Sequence, residues 1–98
     1  VVVARGVFRW DDVGSWPALA DHFENDAADN VIIGDGVSVD ASRNVVYSRD
    51  RLTAVMGVSD LVIVQADGVT MVCPRDRAQD IKRLVQKVRE WPRFQELI

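Results

Sequence analysis

Six short apolar segments between residues 31 and 73 constrain the fold of this chain more than any other feature. Each is rich in Val and Ile, and turn-forming residues separate it from the next, which is typical of short β-strands. An Asp-Gly pair at 67–68 predicts a β-hairpin between the last two segments. The predicted strands are Val31 to Ile33, Val37 to Val39, Val45 to Ser48, Thr53 to Met56, Leu61 to Gln65 and Val69 to Cys73.

The spacing of three aliphatic residues indicates how these strands are arranged. Ile33, Val39 and Val45 fall six residues apart, which is the period of a β-helix coil with one inward aliphatic side chain per face. The pattern therefore predicts a β-rich mixed fold, in which short strands form a β-helix or a rolled sheet.

Two helices are predicted on either side of the strands. Apolar residues from Trp16 to Phe23 recur at helical spacing, with Ser15 as a candidate N-cap and Pro17 at the first helical position. The second helix follows Pro74, with Asp76 as its cap, and runs to about Arg89. Its predicted buried stripe consists of Ala78, Ile81, Leu84, Val85 and Val88.

Composition limits the class of protein. Ninety-eight residues make one small domain, and a net charge of −3 without a basic cluster argues against nucleic-acid binding. The apolar runs are too short to span a membrane, and the single cysteine excludes an internal disulfide. A start at Val1-Val2-Val3, without Met, leads us to expect a piece of a longer chain, in the reducing cytoplasm.

The segment Phe8 to Trp16 is the strongest candidate for chemistry. We expect a strand, Val7 to Trp10, that leads into a tight turn in which Gly14 supplies backbone freedom. The carboxylates of Asp11 and Asp12 precede a helix N-terminus, where they could hold a divalent cation. The alternative for Asp12 is a turn cap, and Trp10 and Trp16 are interpreted as packing anchors.

The remaining reactive side chains are interpreted as structural. His22 lies on a polar helix edge, and Cys73 ends an apolar strand as a small buried residue. Arg75, Asp76 and Arg77 are predicted to pair with one another at the surface.

The Phe-x-Trp-x-Asp-Val-Gly-Ser-Trp segment resembles a signature of mannose-1-phosphate guanylyltransferases. Further matches follow in order at Val55 to Val64, Arg75 to Arg77 and Gln79 to Lys82. The resemblance implies a short left-handed β-helix. It also implies a parent enzyme that makes GDP-mannose and pyrophosphate from GTP and mannose 1-phosphate with Mg²⁺, and Asp12 would be half of its metal site. The nucleotide loop and the second carboxylate of that family would lie upstream of Val1.

The resemblance divides the chain into two parts and leaves two functional hypotheses. Residues 1–29 would be the end of a nucleotidyltransferase domain, and residues 30–98 a β-helix module with its C-terminal helix. The first hypothesis is that the chain is the C-terminal region of such an enzyme, inactive alone. The second is a non-catalytic scaffold that associates with itself. A sugar nucleotidyltransferase of another specificity also fits the residues.

Overall fold

The structure is a computed structural model that describes residues 10–16 and 27–92. The chain forms a four-stranded sheet, in the order β1-β2-β3-β4, preceded by a 3-10 helix and followed by helical turns. This arrangement confirms the β-rich fold with a C-terminal helix. The strands are β1 (Val31–Val39), β2 (Val45–Met56), β3 (Leu61–Ala66) and β4 (Val69–Pro74); the 3-10 helices are Trp10–Ser15 and Arg75–Asp80; the α-helix is α1 (Ile81–Arg89).

The first three strands are parallel neighbours, although no helix connects them. β1 pairs with β2, and β2 with β3, in parallel, whereas β4 runs antiparallel to β3. Parallel strands joined by short corners are possible because the chain rolls up as a β-helix instead of crossing over the sheet. The β3–β4 hairpin turns at Asp67 and Gly68, both with positive φ, as the sequence predicts.

The two long strands each consist of two limbs that meet at a bend. Residues 31–34 pair with 45–48 in the first limb, and residues 36–39 pair with 53–56 in the second. One residue, Asp35, separates the limbs of β1, whereas four residues, 49–52, separate those of β2. The six predicted segments therefore form four strands, because the bends interrupt the apolar pattern without ending the pairing.

The six-residue spacing noted in the sequence does not identify the inward side chains. Val39 is 50% exposed, so its predicted inward position is wrong. The residues that stack in the sheet are Val31, Val45 and Val62. The true repeat is one full coil of the β-helix. The first coil is 14 residues long and the second is 17, because the bend has one residue in β1 and four in β2.

Two buried asparagines join successive coils at one corner. The amide nitrogen Nδ2 of Asn30 donates to the Ala41 carbonyl oxygen, and that of Asn44 donates to the Val58 carbonyl oxygen. In return, Oδ1 of Asn30 accepts the backbone N–H of Asn44, and Oδ1 of Asn44 accepts that of Leu61. Each side chain thus satisfies backbone groups of a corner that no strand ladder reaches.

One face of the sheet is covered by the helical turns. Trp10, Val13 and Trp16 share a buried core with strand residues that include Val31, Val45 and Val62, and with Ala78, Ile81 and Val85 from the C-terminal turns. The boundary predicted at residues 29 and 30 stays a prediction, and Trp10, Val13 and Trp16 from the predicted first part pack in this same core.

The C-terminal helix begins later than predicted. Asp76 lies inside a 3-10 helix, and Asp80 is the N-cap position of α1, so the predicted cap is wrong while the end at Arg89 is confirmed. Leu84, which we predict in the buried stripe, is 38% exposed, and the buried residues of α1 are Ile81 and Val85.

No helix in residues 10–16 and 27–92 is long and apolar enough to cross a membrane.

Candidate functional site

The turn that carries the candidate carboxylate is a 3-10 helix that packs tightly on the C-terminal turns. Trp10, predicted to end a strand, lies instead in this helix, while residues 7–9 lie outside the described residues. Val13 is fully buried. A Cβ added to Gly14 would come within 3.2 Å of the Ala78 carbonyl oxygen. Gly14 therefore allows close approach to the 3-10 helix Arg75–Asp80.

Ser15 stabilises the turn through an exposed hydrogen bond. Its hydroxyl donates a 2.9 Å hydrogen bond to the backbone carbonyl oxygen of Asp12. The hydroxyl is thus a donor within the 3-10 helix. Its predicted role as the N-cap of a helix from Trp16 stays a prediction, because the N–H groups that it would accept belong to residues outside the described part of the chain. The helix predicted from Trp16 to Phe23 lies outside the described residues beyond Trp16.

Asp12 is half-buried at the surface of this turn. No group of three or more His, Cys, Asp or Glu side chains that could hold a metal ion occurs within residues 10–16 and 27–92. A single carboxylate such as that of Asp12 is enough for a partial Mg²⁺ site of the kind that substrate phosphates complete. His22 lies outside the described residues.

The two tryptophans of the motif are buried. Trp16 meets the ring of Tyr47 edge-on, with 5.1 Å between ring centroids and 65° between the planes. Trp10 is 3% exposed and belongs to the same core. Both indoles therefore fix the turn against β2 and the C-terminal turns, and neither ring face is open for stacking on a base.

A second group of charges lies at the corner of the coil formed by residues 29, 43 and 60, beside the start of the 3-10 helix Arg75–Asp80. Arg43 donates two hydrogen bonds to the Asp60 carboxylate, at 2.9 and 3.0 Å. These bonds lower the pKa of Asp60 and raise that of Arg43, and the nearby charge of Asp29 raises the Arg43 pKa further. The guanidinium of Arg75 donates to the Arg43 carbonyl oxygen. Arg43 thus interacts with each of the other three groups across stacked corners, so this charge cluster is interpreted as structural.

The cysteine lies beside a shallow groove between β4 and α1. Burial raises the pKa of the Cys73 thiol, so the thiol is a poor nucleophile at neutral pH. Arg77, at the edge of the groove, forms an ion pair with Asp80 at 3.1 Å. The sequence instead predicts Asp76 as its partner. The groove lacks the nucleophile and base that group transfer would need.

Sequence reasoning missed the polar residues that build the coils. Asp29-Asn30-Val31 and Arg43-Asn44-Val45 are 14 residues apart, and Asp60-Leu61-Val62 follows at 17. The first residue of each triplet has positive φ. This short repeat was the signal available in the sequence, and the unequal spacing hides it.

Comparison with known proteins identifies a family for most of the described sheet and the C-terminal helix. The family described as MannoseP isomerase/GMP-like beta-helix domain matches residues 34–88. A mannose-1-phosphate guanylyltransferase of Escherichia coli is 36% identical over 85 residues, which is 87% of this chain and 18% of that protein. A mannose-1-phosphate guanylyltransferase of Salmonella typhimurium is 41% identical over 76 residues, 78% of this chain and 16% of that protein.

A solved structure shares the fold. The crystal structure described as mannose-1-phosphate geranyltransferase from Thermus thermophilus superimposes with a TM-score of 0.64 at 35% identity. The match covers 78% of this chain and 23% of that one. The chain thus spans less than a fifth of the length of the curated relatives and less than a quarter of the solved one.

Proposed function

Because this chain belongs to the MannoseP isomerase/GMP-like beta-helix domain family, we propose that it is the C-terminal region of a mannose-1-phosphate guanylyltransferase. The parent converts GTP and mannose 1-phosphate into GDP-mannose and pyrophosphate. The sugar phosphate oxygen attacks the α-phosphorus as the bond to pyrophosphate breaks. The observation that supports this most is the likeness to relatives of that name over 78 to 87% of the chain.

In this proposal Asp12 supplies one carboxylate of a Mg²⁺ site. When bound, the metal offsets the negative charge that develops on the phosphates during transfer. The contribution of this chain is positional, because the Ser15 hydrogen bond and the packing of Gly14 hold the Asp12 backbone in the turn. The second carboxylate, the nucleotide loop and the sugar pocket belong to the longer protein.

The β-helix itself has a scaffold role in the proposal, and the 98-residue chain alone is inactive. The described residues form an extensively hydrogen-bonded coil without a nucleophile–base pair, which suits a support for a catalytic domain. Self-association is the second role that we propose for this chain, because two strands of the β-helix leave apolar side chains exposed. Two related proteins are named for alginate and xanthan biosynthesis, and we propose a biosynthetic role for the parent as well. A cytoplasmic location is proposed on the single cysteine, which suits a reducing compartment.

The two adjacent aspartates allow a matched test of the metal role in the longer protein. Asp12→Asn should lower kcat by about 100-fold and weaken Mn²⁺ binding measured by electron paramagnetic resonance. Asp11→Asn, one residue away, should leave both nearly unchanged. Equal effects of the two substitutions, or normal Mn²⁺ binding by Asp12→Asn, would remove Asp12 from the proposed site.

A panel of sugar phosphates tests the proposed specificity. Mannose 1-phosphate with GTP should give the highest kcat/KM among hexose 1-phosphates and nucleoside triphosphates. A clear preference for another pair would assign the chain to a nucleotidyltransferase of different specificity.

A further inference from the structure

The turn that carries Asp12 lies directly against the backbone of the C-terminal turns. A Cβ added to Gly14 would lie 3.2 Å from the Ala78 carbonyl oxygen and 3.4 Å from Cα of Gln79. These distances are so short that the two backbones touch with no side chain of Gly14 between them. We call this approach of Gly14 to Ala78 and Gln79 the Gly14 contact.

Buried side chains surround the Gly14 contact. Val13, which separates Asp12 from Gly14 in the sequence, is fully buried, and Ala78 is 2% exposed. Both belong to the core cluster that also contains Ile81 of α1. A close-packed core has low compressibility, so a displacement at Ala78 is passed on to the residues beside Asp12.

The 3-10 helix that carries Ala78 is itself fixed to a corner of the β-helix. The backbone N–H of Arg75 donates a 2.7 Å hydrogen bond to the Asp60 carbonyl oxygen. The Arg75 guanidinium donates to the Arg43 carbonyl oxygen at 3.1 Å. The short segment 75–80 therefore connects the stacked corners of the coil to the turn that carries Asp12.

Packing is the main constraint on the backbone of Asp12. Within the turn, the hydrogen bond from the Ser15 hydroxyl to the Asp12 carbonyl oxygen is exposed. Such a bond stabilises only modestly, because water competes for both groups. The burial of Val13 and the Gly14 contact therefore contribute more to where the Asp12 carboxylate stands.

We propose that Ala78 is a positioning residue for the metal site to which Asp12 contributes. This inference rests on the metal role proposed for Asp12, and it extends the site to residues of the C-terminal turns that touch neither metal nor substrate. Catalysis depends steeply on position, since a displacement of about 1 Å can cost about 100-fold in rate. The β-helix is then part of how the metal site is built, in addition to being a support for the catalytic domain.

Two substitutions in the longer protein press on the Gly14 contact from opposite sides. Ala78→Val adds two methyl groups to the core, and Gly14→Ala adds one methyl group at the contact itself. Each should raise the Mn²⁺ dissociation constant, measured by electron paramagnetic resonance, by about 10-fold, because the carboxylate is displaced. Gly14→Ala is the smaller change and keeps the test available if Ala78→Val folds poorly.

Kinetics with Mg²⁺ distinguish a displaced carboxylate from a damaged fold. The Mg²⁺ concentration for half-maximal rate should rise by about 10-fold in both variants, and saturating Mg²⁺ should restore most of kcat. The KM for mannose 1-phosphate should change by less than about twofold, because the sugar pocket lies elsewhere in the longer protein.

Ala41→Val is the matched control for overpacking. Ala41 is 5% exposed and lies outside the core cluster that contains Val13 and Ala78. Its substitution should lower the thermal stability as much as Ala78→Val does, without a change in Mn²⁺ affinity. Hydrogen exchange of the peptide that contains residues 10–16 should become faster in Ala78→Val and Gly14→Ala but not in Ala41→Val.

Each outcome decides the inference. Wild-type Mn²⁺ affinity in folded Ala78→Val and Gly14→Ala would overturn the positioning role. Equal weakening by Ala41→Val would also overturn it, because the effect would then follow the general loss of stability.

Asp12→Asn in the same series separates this inference from the proposed metal role. If Asp12→Asn weakens Mn²⁺ binding while Ala78→Val and Gly14→Ala do not, the metal role stands and the positioning role fails. If Asp12→Asn binds Mn²⁺ normally, the metal role itself fails and takes the positioning role with it.

Discussion

Oδ1 of Asn30 accepts hydrogen bonds from both the backbone N–H and the side-chain amide of Asn44, each at 3.0 Å. Both side chains are almost fully buried. These bonds join two coils of the β-helix at a corner where no strand ladder can satisfy the backbone. They are therefore a main determinant of how one coil stacks on the next.

Removing the Asn44 side chain should be strongly destabilising. Asn44→Ala leaves the N–H of Leu61 and the carbonyl oxygen of Val58 without their side-chain partner. We expect a loss of about 2 to 4 kcal/mol in the free energy of unfolding, because the Leu61 N–H is left unsatisfied and retains its desolvation penalty, whereas the Val58 oxygen keeps its bond from the Ser42 N–H. Urea denaturation followed by tryptophan fluorescence measures this loss.

Gln86→Ala on the exposed side of α1 is the control for this substitution. It also removes an amide, and it should change the stability by less than about 0.5 kcal/mol. A similar small loss for Asn44→Ala would show that the coils do not depend on the asparagines.

The Arg43–Asp60 pair should make stability depend on pH in the acid range. Its hydrogen bonds lower the pKa of Asp60 in the folded chain. The pair therefore stabilises the fold above the unfolded pKa of about 4, and this contribution is lost as the pH falls through the folded pKa. Asp60→Asn, which tolerates the positive φ of this position, should be less stable than wild type at pH 7 and equal to it once Asp60 is protonated.

Thermal unfolding of both proteins at pH 7 and in strong acid measures this difference. High salt at pH 7 should shrink it, because the pair is exposed. Asp76→Asn, at another exposed carboxylate, is the control. A difference that is constant across the acid range would assign the effect to backbone conformation and not to the ion pair.

Gly34 should tolerate no side chain. Its φ is +89°, and a Cβ there would lie 1.9 Å from the Ser48 carbonyl oxygen, closer than any real contact. Gly34→Ala should therefore destabilise the chain by more than about 3 kcal/mol, because the β1–β2 bend has to open. Protease resistance and urea denaturation report this change.

Gly57→Ala separates steric clash from backbone strain. Gly57 also has positive φ, at +66°, but nothing lies within 4 Å of an added Cβ. The expected loss is about 1 to 2 kcal/mol, from the left-handed conformation alone. Equal losses at the two glycines would contradict the close approach at Gly34.

The sequence predicts the strands well because their local signals agree with the fold. Apolar alternation, turn residues and Asp67-Gly68 locate β1 to β4, and Pro74 marks the end of the sheet. The sequence does not show which predicted segments belong to the same strand. The bends at Asp35 and at residues 49–52 have the composition of turns, but β1 and β2 stay paired on both sides of them.

Other features depend on tertiary contacts that one sequence does not display. Alternation cannot tell the inner from the outer side of a coil, so the exposure of Val39 and Met56 was not predictable. Asp76 and Asp80 are both acceptable N-caps by residue type. The packing of Ala78 and Ile81 decides that residues 75–80 form a 3-10 helix and that the α-helix begins at Ile81. Asp12 could be identified as a candidate only from its motif, since the described residues place no cluster of metal ligands around it.

The formation of GDP-mannose from GTP and mannose 1-phosphate tests the central claim most directly. The assay uses the 98-residue chain and the longer protein encoded by the reading frame around it, each with Mg²⁺. We predict that the longer protein releases GDP-mannose and pyrophosphate in equal amounts and that the shorter chain releases neither. A pure, folded longer protein that makes no GDP-mannose would contradict the account, as would turnover by the shorter chain alone.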